Sequence, residues 1–315
     1  MRWLRKRVFG IDPEETSFAR RGFRGGDKRI EEHLQGVGRR FLRGYHAALE
    51  GDRLELLAGR LDEVDAEDRG FAYEGAAMGL CLLDHLTPWR RDRLAAFLAG
   101  PGAAHAYMIH VGAGWALARL RRRVGRALSR FDPLLRWLVV DGYGFHQGYF
   151  RWREHVDLQQ VPAHLSGYAR RAFDQGLGRS LWFVDGADAA RISASIGLFP
   201  QERQADLWSG IGLACAYAGG VADATISRLK SKAGTHGANL AQGAAFAAKA
   251  RERAGNPAPR TELACRLLCD LPAGEAARLT DDALADLPAD GQVPAYEAWR
   301  RRIRAQLGGK ETARR

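Results

Sequence analysis

The sequence predicts an all-α fold: an array of helical hairpin repeats, α-solenoid or toroid-like, with few or no strands. Three observations carry that expectation. A short phrase built around glycine recurs at Gly75, Gly112, Gly148, Gly176, Gly210 and Gly243, with separations of 37, 36, 28, 34 and 33 residues, the length of one helix–turn–helix unit. Outside the phrases, apolar residues return with helical spacing, as in Ile30, Leu34, Val37, Phe41, Tyr45 and Leu49. Long alternating runs are missing; only Leu138-Val-Val-Asp141, with its two β-branched residues, invites a strand reading.

The phrase reads as a packing device. Its first copy is Phe71-Ala-Tyr-Glu-Gly75-Ala-Ala and its last is Leu240-Ala-Gln-Gly243-Ala-Ala. Three residues before each glycine stands Ala72, Ile109, Phe145, Phe173, Leu207 or Leu240, on the same helix face as the glycine. Two residues after it, every copy except the one with Phe150 has Gly or Ala. Glycine inside a helix costs about 1 kcal/mol against alanine, so its repeated use predicts close approach of neighbouring helices. Immediately before the glycine, Glu74, Gln147, Gln175, Ser209 and Gln242 are polar. Residues at one register either line a shared inner surface or bridge adjacent helices.

In order, residues 1–27 read as an irregular basic leader with a short helix on each side of Ile11-Asp12-Pro13, residues 28–271 as the helical repeat domain, and residues 272–315 as C-terminal capping helices with a disordered tail. Asp52 is a candidate cap for a helix over 54–61. The first phrase opens a helix reaching Leu86, where Thr87-Pro88 stops it. Gly100-Pro101-Gly102, Phe131-Asp132-Pro133, Val161-Pro162, Gly186, Pro200 and Gly219-Gly220 punctuate the later units.

At 315 residues with 46% hydrophobic content the chain can bury a large core. Its net charge of +11 comes almost entirely from arginine, since only six of the 48 basic residues are lysines. An Ala-, Gly- and Arg-heavy composition produces such an excess by itself, so no nucleic-acid partner is expected. The arginine-rich block at 119–136 reads as a solvated helix end complementing the dipole. Cys81, Cys215, Cys265 and Cys269 lie in apolar runs, as buried free thiols of a reducing compartment do, and no second Cys or His pair completes a zinc site. A signal peptide and a run of about eighteen apolar residues are both absent, which predicts no transmembrane segment and a cytoplasmic protein.

The signatures of phosphate loops, nucleophile elbows, zinc proteases and dinucleotide folds are missing. The chemistry-bearing groups instead sit at matching repeat positions: Glu74, His110, His146 and Asp174, then Gln147, Gln175 and Gln242. If successive helices line one cavity, the first four converge from four helices, and carboxylate plus imidazole is the donor set of an iron site. The Glu-x-x-His pair of di-iron bundles is absent, and a histidine in an apolar helix is ordinarily a core residue, so no metal ligands are assigned. Tyr143 and Arg179, in the densest aromatic and polar stretches, suit an elongated unsaturated ligand. Glu74, His110, Tyr143, His146, Gln147, Asp174, Gln175, Arg179 and Gln242 are therefore the expected ligand-binding set, with no catalytic residue assigned.

Several longer phrases carry a family likeness. Phe71-Ala-Tyr-Glu-Gly-Ala-Ala-Met78, Leu98-Ala-Gly-Pro-Gly-Ala-Ala-His-Ala-Tyr107, Asp141-Gly-Tyr-Gly-Phe-His146 and Arg171-Ala-Phe-Asp-Gln-Gly-Leu-Gly-Arg-Ser-Leu-Trp182 are joined by Phe18-Ala-Arg-Arg-Gly-Phe23 and by the run Gly243-Ala-Ala-Phe-Ala-Ala-Lys-Ala-Arg-Glu-Arg-Ala-Gly-Asn-Pro257. Together they resemble the bacterial family catalogued as domain of unknown function 1702, best known from UnbL-like accessory proteins of enediyne gene clusters. The resemblance spans nearly the whole chain. It implies a protein of enediyne (polyketide) antibiotic biosynthesis that helps a synthase's polyene become the enediyne core, binding a polyene or enediyne-core molecule. The rival expectation is a scaffold gathering the synthase and tailoring enzymes. The family supplies no catalytic motif, and no cofactor is implied.

Overall fold

The computed structural model describes all residues except 1, 52, 88, 90, 91 and 313–315; of the side chains of 2–4 and 309–312 nothing is said. Among the described residues there is no strand. The chain opens with α1 (Arg2–Phe9) and the one-turn α2 (Phe18–Arg21), separated by a 3-10 turn at Pro13–Thr16. Then come α3 (Lys28–Glu50), α4 (Leu54–Asp62), α5 (Ala66–Leu86), α6 (Arg93–Ala99), α7 (Ala106–Arg119), α8 (Arg136–Phe150), α9 (Tyr168–Val184), α10 (Ala189–Gly197), α11 (Gln201–Tyr217), α12 (Asp223–Ala233) and α13 (Gly237–Ala254). Three more, α14 (Pro259–Leu268), α15 (Ala273–Asp282) and α16 (Ala295–Thr312), complete it.

The long helices α3, α5, α7, α8, α9, α11 and α13 pack side by side in that order, and the shorter helices and turns lie outside them. The row bends round and meets itself. His33 Nε2 on α3 donates to the Ala218 carbonyl at the end of α11 (2.7 Å), and Arg251 on α13 donates to the carbonyls of Glu67 on α5 and Tyr217 on α11. Across the axis, Phe71 of α5 packs edge-on against Tyr217 of α11, with ring centroids 5.2 Å apart. The architecture is an all-helical ring.

The glycines make the ring tight, in a register that differs from the expected one. A Cβ at Gly112 would lie 2.1 Å from the carbonyl oxygen of Glu74, the residue before Gly75; at Gly176, 1.8 Å from that of Asp141; at Gly210, 2.1 Å from that of Gln175; at Gly243, 1.9 Å from that of Ser209. Each glycine thus faces the carbonyl just before the glycine of the preceding helix. On α8 the residue obeying this rule is Gly142, whose Cβ would meet the Val111 carbonyl oxygen at 2.0 Å, and not Gly148, which faces the Ser180 hydroxyl. The third copy of the phrase is Val139-Val-Asp141-Gly142-Tyr-Gly144, six residues earlier than expected, and the separations become 37, 30, 34, 34 and 33. Leu138-Val-Val-Asp141 is therefore helix: its valines fill the contact with α7 rather than a strand.

Local capping follows ordinary chemistry. Asp27 and Asp188 accept from the first backbone N–H groups of α3 and α10, and Asp132 accepts from those of Leu134 and Leu135 ahead of α8. Asp52 and Pro88 lie outside the described residues. The arginine block after α7 is a connector of two 3-10 turns, Val124–Arg126 and Leu128–Arg130, rather than a helix end.

The leader is built into the body. Ile11, Phe18 and Phe23 are buried, Arg24 N–H donates to the Val184 carbonyl, and the Trp152 indole donates to the Arg21 carbonyl, so residues 9–24 lie across one end of the ring. The other end is closed by α16, whose Tyr296 and Trp299 are about 1% exposed. Arg300, fully buried, pins that helix through Asp206 (2.8 Å), Glu297 (3.3 Å), the Tyr168 hydroxyl and Gln242. The helix continues past Leu307, into the stretch expected as tail. Among the described residues, no single helix is long and apolar enough to cross a membrane.

Candidate functional site

With Gly142 setting the register, the positions one before the first four glycines and three after the last five point towards the axis of the ring. The first gives Glu74, Val111, Asp141 and Gln175; the second gives Trp115, Phe145, Arg179, Leu213 and Phe246. Glu74, Trp115, Phe145, Arg179 and Leu213 of these line a narrow crevice of about 50 Å³, walled also by Phe41, Phe71, Tyr149 and Phe183 and floored by Glu74 and Arg179. Beyond Arg179 and Tyr217 lies a second hollow of about 30 Å³ under α16.

The floor is a buried charge cluster. Arg179 donates to Asp141 Oδ1 at 2.5 Å and stands 4.0 Å from Glu74 Oε1, its guanidinium 4.9 Å above the Phe145 ring. Asp141 Oδ2 accepts from Gln175 Nε2 at 2.7 Å, and the same amide reaches the Tyr296 hydroxyl. Asp141 thus has both oxygens occupied. Glu74 does not: it is 2% exposed and its Oε1 has no hydrogen bond. Burial pushes its carboxyl up to about 7; Arg179 pulls it down, the Asp141 charge pushes it up, and the Trp115 N–H, outside good hydrogen-bond geometry, pulls weakly down. A carboxyl group poised near neutral pH against an aromatic wall can hold or release a proton.

The expected binding set divides. Glu74, Gln175 and Arg179 meet on the axis. Tyr143, His146 and Gln147 line a separate, wider cleft of about 890 Å³ at the leader end, which shares Ile11, Glu15 and Phe150 with the crevice. His146 lies between the two, its ring edge-on to Trp115 at 5.5 Å and 4.7 Å from that of Phe150, and burial first, then nearby arginines, hold its imidazole down to about 3.

The others face away. His110 Nδ1 donates to the Ala106 carbonyl at 2.7 Å beside Phe131. Asp174 pairs with Arg203 on α11 through two bonds of 2.5 and 3.0 Å. Gln242 accepts from Ser209 (2.9 Å) and Arg300 (3.0 Å), bridging helices. Glu74, His110, His146 and Asp174 therefore do not converge, and the iron-type donor set they would form is not assembled. Among the described residues no group of three or more His, Cys, Asp or Glu is placed to hold a metal ion.

Asp141, Trp115 and Tyr217 are the axial residues the expected register left out. The signal for Asp141 was present as an acid directly before a glycine, as Glu74 stands before Gly75.

Fold and site together define a closed helical ring with an aromatic crevice and, on its axis, a carboxyl group whose Oε1 accepts no hydrogen bond. The chain belongs to the family described as protein of unknown function (DUF1702), whose model matches residues 1–307. No curated protein and no solved structure matches it.

Proposed function

We propose that this protein serves enediyne (polyketide) antibiotic biosynthesis by binding a conjugated polyene, or an intermediate on the way to the enediyne core, along the axis of its ring. The observation that carries the reading is the crevice: aromatic walls ending on Glu74, the one carboxyl group there with an unpaired oxygen. Flat rings suit a planar unsaturated chain, and few polar groups orient it. The free volume on the axis admits one end of such a chain, while the 890 Å³ cleft takes the rest. With Arg179 fixed by Asp141, Glu74 is the group able to move a proton to or from the bound end. Burial shields a reactive chain from water.

Titrating the purified protein with a linear heptaene tests this. The visible band of the polyene shifts and Trp fluorescence is quenched as the chain enters. Ala214→Phe, which fills the crevice, abolishes both changes while far-UV circular dichroism stays helical. An unshifted band with the native protein, or an equal shift with Ala214→Phe, refutes the reading.

A further inference from the structure

We propose that the cleft at the leader end seats an anionic head group, so that the molecule taken up is an acidic amphiphile: a carboxylate or phosphate at one end of an apolar, unsaturated chain. The proposal rests on the reading that the chain enters the axial crevice. The cleft and the crevice meet at Ile11, Glu15 and Phe150, so one ligand can occupy both.

The cleft carries charge that the protein does not neutralise. Arg119, Arg121 and Arg151 line it, as do His146, His155 and His164. Arg151 is taken by Glu154, and Glu15 by Arg20 and Arg21. Asp12 also lines the cleft and keeps its charge, accepting from the Glu14 backbone N–H. Arg119 touches only carbonyls, those of Phe9 and Gly10, and the Tyr45 ring, while Arg121 has no carboxylate partner among the described residues. A concave wall with two guanidinium groups that lack a carboxylate partner, set against the single charge of Asp12, keeps a net positive potential where an anion is bound.

Two imidazole nitrogens add to this. His155, 2% exposed, uses Nδ1 on the Gln160 carbonyl (2.7 Å), and its Nε2 makes no hydrogen bond, with Glu154 Oε1 3.9 Å away; His146 Nδ1 makes none either. Buried polar nitrogens without partners are costly in a finished core and are explained when they face a ligand. Burial first, and nearby arginines to a smaller extent, hold both imidazoles below their ordinary range, so both are neutral and able to take a hydrogen bond or a proton. The backbone at the rim is also unusual: Arg121 and Gln159 are left-handed at φ 51° and 54°, and Arg153–Asp157 is a π-helical turn. Such features gather at binding sites.

The test uses a conjugated tetraene fatty acid, its methyl ester and the matching tetraenyl phosphate, with probe fluorescence as the readout. One of the two anions binds about tenfold more tightly than the ester, and the tighter one identifies the head group. The preference shrinks about tenfold in Arg119→Gln/Arg121→Gln. Arg121→Gln alone, at an exposed position, shows a partial loss and guards against misfolding of the double variant. Equal binding of anions and ester, or a preference untouched by both variants, overturns the head-group site and leaves the axial reading standing. Binding of none of the three probes overturns both.

Discussion

Replacing Glu74 by glutamine should stabilise this protein at alkaline pH and leave it nearly unchanged in mild acid. The folded state holds a proton on Glu74 up to about pH 7, whereas the unfolded chain releases it at the ordinary value of 4.5. Stability from this group is present below pH 4.5 and lost as pH rises towards 7, because the native state binds the extra proton in that window. A displacement of that size corresponds to about 3 kcal/mol when complete. Glutamine keeps the shape and cannot ionise, so the variant lacks the loss; titrating groups away from this cluster contribute equally to both proteins and cancel. Between pH 5 and pH 8 the stability of Glu74→Gln relative to wild type should rise by about 2–3 kcal/mol. Guanidinium unfolding midpoints of both proteins at the two pH values measure it. A difference independent of pH would show that Glu74 is ionised throughout, and the account of a proton held on the axis would fail.

Other perturbations address the ring and its seals. Gly142→Ala drives a Cβ to 2.0 Å from the Val111 carbonyl oxygen and should cost about 3 kcal/mol or more, whereas Gly59→Ala in α4, where nothing lies within 4 Å, should stabilise by about 1 kcal/mol; thermal melting of the pair decides. Arg300→Leu removes the buried cation between Asp206 and Glu297, which keep Arg171 and, for Glu297, Arg304; it should cost about 2–3 kcal/mol, read as a drop in melting temperature with loosening of α16 in hydrogen exchange. His146 should remain neutral down to about pH 4, its imidazole being held near 3, and a proton NMR titration showing an inflection above pH 6 would contradict its burial.

The helical period made the fold readable, because it is written in spacing that survives any choice of side chain. The site was readable only in part. Glu74 and Gln175 were legible because each stands directly before an unambiguous phrase glycine, and Arg179 because it lies in a dense aromatic and polar stretch. On α8, Gly142, Gly144 and Gly148 all make close contacts, and the likeness of Phe145-His-Gln-Gly148 to Phe173-Asp-Gln-Gly176 favoured the wrong one. His146 and Gln147 border the cleft because they lie further along α8, and Asp141 takes the axial place. His110 and Asp174 stand two residues before their glycines, about 100° round the helix from the axial position, and so face the outer layer. Spacing alone cannot say which face of a wholly buried helix looks inward. The partner across each carbonyl contact does.

The two coverings of the ring have a consequence for biosynthesis of the chain itself. The first α-helices are made long before Tyr296 and Trp299 exist to close the far end, so at the ribosome the axis stands open, with Asp206 awaiting Arg300. At about 5–20 residues per second that interval lasts several seconds or more. Docking of the final helix closes only the far end, so in the finished ring the crevice is reached from the leader-end cleft alone.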